Sequence, residues 1–391
     1  MRISAVRATW CRVPIPYERQ HTSDFGRVPT FDSVIVRVST ECGLTGWGEA
    51  KAGVGSAAAC AGLAAIINDD YAPLLVGQDP RDISRLWDVM YNTPREGYAV
   101  AGGYALPQVG RRGLSISAIA GVDVALWDIL GKSLNVPVWR LLGGKRVDRM
   151  PAYASGGWAD AANIGAQLQG YCDKAGFRAV KMRVGVMDGS PARSAARVRA
   201  ARATLGPDIR LMADAHGTWT VAEARAFARM VEDCDLFWFE EPVSADDKAG
   251  MAEVRRSSSV PISAGESEFT RHDFREICEL RAADVLQPDL AIAGGLTEGL
   301  RISALASAFN LRLAPHLWSG APAFAAGMHL AATQSAGFIL EYSLGHNPML
   351  HDLIEEDFPV EDGHVVIPDR PGLGITVREA FLQQYGQGGR A

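Results

Sequence analysis

The stretch from 211 to 266 contains Leu211-Met212-Ala213-Asp214, then Phe237-Trp238-Phe239-Glu240, then Val260-Pro261-Ile262-Ser263-Ala264-Gly265-Glu266. Each apolar run closes on a carboxylate, and the acids follow one another in equal steps of 26 residues. Short apolar runs at that interval, with helical pattern between them, predict successive β/α units. In a closed parallel barrel the carboxyl ends of the strands share one face, and active sites lie there. Asp214, Glu240 and Glu266 on that face repel one another unless a cation sits between them. Such an all-oxygen set suits a hard divalent ion, with Mg²⁺ the first expectation. A helix cap or a strand-end ion pair explains a single acid; three at matched strand ends point to metal.

Outward from this stretch the pattern predicts eight strands: 151–154, 179–184, 210–214, 236–240, 261–265, 284–287, 312–315 and 338–342. Local start signals sit on the helices between them. Ser190-Pro191 offers a cap and a first-turn proline, and Thr220-Val221-Ala222-Glu223 fits a capping box. The fold class is α/β: a modified (β/α)8 TIM-type barrel, since no Gly-rich dinucleotide fingerprint follows a strand.

The first part has another texture. Residues 33–39 and 44–49 flank the turn Glu41-Cys42-Gly43 and predict a hairpin. Residues 16–32 read as a mobile polar loop. Ile116, Ile119, Val122, Leu126 and Leu130 lie on one stripe of a helix that ends near Pro137. Three domains are expected: an α+β cap over 1–125, the barrel over 126–365, and a tail over 366–391 that returns to the cap.

The formal charge of −6 over 391 residues leaves no basic footprint, so nucleic acid is not the expected partner. The six cysteines show no paired spacing and read as reduced thiols. The start lacks an apolar signal core, and no stretch is expected to span a bilayer. The chain is expected to be soluble and cytoplasmic, with no membrane partner.

Several ordered motifs carry a resemblance. They are Asp123-Val124-Ala125-Leu126-Trp127-Asp128, Lys181-Met182-Arg183, Phe239-Glu240-Glu241-Pro242, Ala264-Gly265-Glu266, Gln287-Pro288-Asp289, Ala314-Pro315-His316 and Leu340-Glu341. Together they resemble the enolase superfamily, mandelate racemase subgroup, and especially its acid-sugar dehydratases. The resemblance implies a capping domain over a modified barrel and Mg²⁺ held by Asp214, Glu240 and Glu266. It also implies a His316–Asp289 dyad, a supporting Glu341, and abstraction of the proton α to a carboxylate through an enediolate. It suggests an even-numbered homo-oligomer, from dimer to octamer.

An enediolate carries two negative charges on one group, so preorganised positive charge is needed there. The metal supplies most of it as a Lewis acid, and Lys181 a second share. His316 is the expected base, because imidazole titrates near working pH. Asp289 would accept from its other nitrogen. Glu341 either hydrogen-bonds the enediolate or holds Lys181. Two positions depart from the subgroup's usual pattern. Arg183 stands where a second lysine is common, and guanidinium is effectively never deprotonated. It binds substrate or pairs with Glu240. His216, two residues after Asp214, resembles the acid–base histidine of galactonate-type dehydratases; otherwise it only binds substrate.

With one face short of a base, dehydration of an aldonate or aldarate to a 2-keto-3-deoxy acid is favoured over racemisation or epimerisation. A cycloisomerase acting on a sugar lactone or anhydro-sugar acid is the close rival. A glycosidase using Glu240-Glu241 and a non-catalytic binding barrel are the more distant ones. The partner is a small-molecule carboxylate, and His21 and Arg27 are candidate substrate contacts. His272, His329, His346, His351 and His364 read as ordinary surface or satisfied histidines. Trp47 and Trp318 could line the pocket or belong to the core.

Overall fold

Alternating apolar residues give the first part its sheet. Ile3–Pro14, Thr30–Thr40 and Thr45–Ala50 form an antiparallel meander in the computed structural model, which describes residues 1–52, 56–92, 102 and 112–387. Register is set by pairs such as Val6↔Val38 and Arg37↔Trp47, and Gly43 takes the left-handed conformation (φ 84°) that the tight turn requires. The segment read as a loop carries a two-rung hairpin, Thr22–Ser23 against Gly26–Arg27.

Helix Leu114–Leu134 lies across this sheet. The contact is backbone-close: a Cβ on Gly48 would stand 1.9 Å from the Gly121 carbonyl oxygen. Asn135 ends the helix in a left-handed conformation, two residues before Pro137. The boundary expected after residue 125 therefore falls inside a continuous helix. The expectation that no stretch could span a bilayer also needs correction. By length and mean hydropathy (1.6) this helix passes, but 78% of the window is buried inside the protein. Its apolar character serves a helix packed against the cap sheet on one side and a barrel helix, Gly295–Ala308, on another.

Eight strands follow, at Arg149–Gly156, Ala179–Arg183, Arg210–Asp214, Leu236–Glu240, Ile262–Ala264, Val285–Leu286, Arg312–Leu313 and Leu340–Ser343. They pair in parallel and in order, the seventh meets the eighth through the Leu313↔Gly337 bridge, and the eighth pairs with the first (Tyr153↔Glu341). Closure satisfies both edges and points all eight carboxyl ends one way.

Successive side chains alternate between faces, so every second residue points inward. The inward set fills the barrel in layers. Tyr153, Ala179, Met212, Trp238, Val285, Ala314 and Ile339 make an apolar plug. One step further along the same strands come Ser155, Lys181, Asp214 and Glu240. The tail sends His364–Val366 antiparallel onto the first strand and Gly386–Gln387 onto Ile3–Pro14 of the cap. Residues 388–391 of the expected tail lie outside the described residues.

Candidate active site

Strand register explains who meets whom at the barrel mouth. Lys181 and Arg183 share the inward face of the second strand, and register sets Arg183 beside Asp214 on the third and Asp214 beside Glu240 on the fourth. Arg183 Nη1 donates to Asp214 Oδ2 at 2.6 Å, and its Nη2 lies 3.5 Å from Asp24 of the cap hairpin. The expected Arg183–Glu240 pair does not form, because Asp214 occupies the strand between them. Arg183 Nη2 is buried with no hydrogen-bond partner.

Lys181 binds the carboxylates of Glu240, Glu341 (3.0 Å) and Asp214 (3.4 Å). Burial alone would strip its proton, but these acids outweigh it and hold the ammonium charged, with its pKa well above the ordinary value. Glu341 also accepts from the Leu317 backbone N–H at 2.8 Å, so of its two expected roles the visible one is holding Lys181. The Glu240 carboxylate is fully engaged: besides Lys181 it accepts from Trp238 Nε1 (2.9 Å) and Gln287 Nε2 (2.7 Å).

The group that converges on one point is Asp214, His216 and Glu266, whose donor atoms all lie within 4.8 Å of one another. Close by, Glu241 keeps a buried carboxylate oxygen without a hydrogen-bond partner. Its pKa is driven well above the usual range by burial, then by the charges of Glu266, Asp214 and Glu240. Hard oxygen donors in excess, with a buried oxygen left over, fit a divalent cation. Asp214 and Glu266 would hold it, with Glu240 or His216 completing the protein's share.

His316 Nδ1 and Asp289 Oδ2 are 2.9 Å apart, and Asp289 is fully buried. Asp289 also accepts from Ser319 Oγ (3.1 Å) and the Ala291 N–H (2.8 Å), which fixes its orientation. That leaves His316 Nε2 facing the pocket, 3.5 Å from Glu266 Oε2. Burial opposes the imidazolium, but Glu266 and Glu341 outweigh it and bring the pKa to about 9. His216 Nε2 approaches the other oxygen of the same carboxylate, Glu266 Oε1, at 3.1 Å. Its Nδ1 is buried without a partner. Two histidines thus flank one carboxylate.

His21 lines the pocket, stacked on Trp158 with ring centroids 4.4 Å apart. Arg27 does not. It is exposed, lies over the Tyr17 ring at 3.6 Å and donates to Gln20 Oε1 at 2.7 Å, so its side chain is spent within the hairpin segment. His346, read as ordinary, lines the pocket, as does Trp318, whereas Trp47 is buried in the core. Lys51, Asp24, Phe25 and Trp158 were not singled out from the sequence. Lys51 follows a cap strand directly and reaches Asp289 Oδ2 at 3.4 Å. Its one signal was a lone cation after the strand-end Glu49-Ala50.

Comparison with known proteins agrees with this architecture. Residues 6–143 match the family model for the mandelate racemase / muconate lactonizing enzyme N-terminal domain, and 163–381 match the enolase C-terminal domain-like model. Arabinonate dehydratase of Saccharolobus solfataricus is 33% identical, the alignment covering 90% of each chain. D-galactarolactone cycloisomerase of Agrobacterium fabrum is 33% identical over 98% of this chain and 99% of its own. Among solved structures, a racemase from Streptomyces coelicolor with bound magnesium superposes at a TM-score of 0.85. It is 32% identical, over 98% of this chain and 99% of that one.

Proposed function

Since the chain belongs to the mandelate racemase / muconate lactonizing enzyme family of the enolase superfamily, we propose that it dehydrates a sugar acid. The substrate is an aldonate or aldarate and the product a 2-keto-3-deoxy acid. His316 Nε2 takes the α-proton while Asp289 holds Nδ1–H and stabilises the imidazolium. Lys181 and Arg183, whose Nη2 makes no hydrogen bond, supply positive charge beside the substrate carboxylate, where charge accumulates. His216 Nδ1 protonates the departing β-hydroxyl, which leaves as water, and the enol product ketonises. Asp214, Glu240 and Glu266 hold Mg²⁺, which when bound supplies further Lewis-acid stabilisation of the same oxygens.

The observation that carries this reading is the pair of histidines on opposite oxygens of Glu266, with an arginine in place of a second strand-borne base. One base and one acid suffice for dehydration, whereas racemisation through two bases needs a second group able to deprotonate. The test is a panel of aldonates and aldarates with purified protein and Mg²⁺, scored for keto-acid formation. Release of keto acid from at least one member is expected; none from any member refutes the proposal. The extent of the match to a cycloisomerase favours one alternative, in which the same base acts on a lactone or anhydro ring. It predicts product from a ring substrate and none from the open acid. A cytoplasmic homo-oligomer, with neither nucleic acid nor membrane as partner, and division into cap, barrel and returning tail complete the reading.

A further inference from the structure

The dyad stands on two separate barrel loops, Asp289 after the sixth strand and His316 after the seventh. Cap strand Thr45–Ala50 ends against both. The Lys51 backbone N–H donates to the Ala291 carbonyl at 3.1 Å, and the N–H of that same Ala291 donates to Asp289 Oδ1. The Lys51 ammonium then bridges the two loops. Its Nζ donates to the Trp318 carbonyl, two residues beyond His316, at 2.8 Å. It also lies 3.4 Å from Asp289 Oδ2, the oxygen that faces His316 Nδ1. Only 12% of the Lys51 side chain is exposed, and a desolvated ammonium persists where an opposite charge compensates it. Asp289 is that charge.

Glu49 fastens the far side of the His316 loop. It is fully buried and accepts from the Gly320 N–H at 2.8 Å and the Ala323 N–H at 3.3 Å, at the start of helix Ala321–Thr333. A carboxylate is favoured at that end of a helix. Ser33 Oγ, on the neighbouring cap strand, donates to the same carboxylate at 2.7 Å and ties it to the cap. Gly320 permits the approach, since a Cβ there would stand 2.8 Å from Glu49 Oε2. Next to it, Ser319 Oγ donates to Asp289 Oδ2. A base is held for reaction by the group that orients it, and that group by its own partners. In this chain the series runs from the cap: Lys51, Asp289, His316.

We propose that Lys51 is a positioning residue for proton abstraction. Supplied by the cap, it acts on His316 through Asp289 and fixes where Nε2 meets the α-carbon. Without it Asp289 is free to turn towards Ser319, and the two loops lose the cation that bridges them. The cap thereby contributes to the chemical step and not only to enclosing the pocket. The inference rests on His316 as the base of the sugar-acid reading and adds the residue that holds the dyad.

The test compares the unmodified protein with Lys51→Met, both with Mg²⁺. Crystal structures read the dyad without substrate. In the variant the His316 ring or the Asp289 carboxylate is expected to move by about 1 Å, a misplacement that costs about 100-fold in rate. On any substrate that the unmodified enzyme turns over, kcat and α-proton exchange in D₂O are expected to fall about 100-fold with KM unchanged. A raised KM assigns Lys51 to the substrate and overturns the inference, as does an unmoved dyad or an unchanged kcat. Lys51→Cys is expected to match Lys51→Met and to recover most of its kcat on aminoethylation, which rebuilds a cationic side chain of lysine's length. Cys42 is exposed and the other five native cysteines are buried, so the unmodified enzyme treated alike is the control. A fully aminoethylated protein that stays slow also overturns the inference, and this pair carries the test if Lys51→Met does not fold. A displaced dyad in the variant, with no keto acid from the unmodified enzyme, sinks the dehydratase reading and leaves the positioning role standing. Keto acid formed at equal rates by both proteins does the reverse.

Discussion

His329 gives the molecule a pH-dependent stability that can be sized from its surroundings. It lies on helix Ala321–Thr333, fully buried, with Nε2 donating to the Leu373 carbonyl of the returning tail at 3.2 Å. Its Nδ1 has no partner, so the neutral tautomer protonated at Nε2 fits the site. Burial lowers its pKa from 6.5 to about 4, despite the bond to Leu373. The folded pKa lies below the unfolded one, so between those values the unfolded chain binds a proton that the folded chain refuses. The stabilisation is therefore complete above pH 6.5 and is lost as pH falls towards 4. Between pH 7.5 and pH 5 the loss works out at about 2 kcal/mol. With an unfolding entropy of about 0.8 kcal/mol/K for a chain of this length, that lowers Tm by about 2 °C. His329→Gln keeps an N–H for Leu373 and removes the titration. Urea midpoints and Tm are measured for both proteins at the two pH values. The variant is expected to lose about 2 kcal/mol less than the parent on acidification. Equal losses would refute the reasoning, because His329 would then be accepting its proton without cost.

Other perturbations address the site and the cap. His216→Asn is expected to lower keto-acid formation about 10²–10⁴-fold, the usual share of a general acid, while α-proton exchange in D₂O persists; exchange lost in parallel would make His216 part of the abstraction step. Chelation with EDTA is expected to abolish activity, and Mg²⁺ at about 100 times its Kd to raise Tm by about 3 °C, the shift that binding linkage gives for a chain of this size; an unchanged Tm would argue against a divalent site at Asp214, Glu240 and Glu266. Gly48→Ala places a methyl 1.9 Å from the Gly121 carbonyl oxygen, so a loss of about 3 kcal/mol or failure to accumulate soluble protein is expected, and a chemical melt unchanged within 0.5 kcal/mol would show that the helix can shift.

What the chain declares locally is its periodicity and its punctuation. The apolar runs that close on Asp214, Glu240 and Glu266, together with their 26-residue repeat, are enough to place strands, a barrel and an acidic rim. Period and spacing survive in one dimension because each element imposes them on its own residues. Pairing across strands does not. That Arg183 meets Asp214 and not Glu240 depends on parallel register and on which strand lies between. That Glu240 turns to Lys181, Trp238 and Gln287 while His216 joins Asp214 and Glu266 depends on side-chain directions set by three different strands. Arg27 and Lys51 make the same point from the cap. Both are cations near strand ends, yet one folds back onto Tyr17 and the other reaches a buried aspartate more than 200 residues away in sequence. The aromatic wall, joining residues near 21 to others near 158 and 318, exists only after barrel closure brings cap and strand ends together. Sequence alone thus determined the layers and the chemistry available at the rim. Tertiary structure decided which charges neutralise each other and which atoms remain free, because those choices are made by distances between segments that no local pattern encodes.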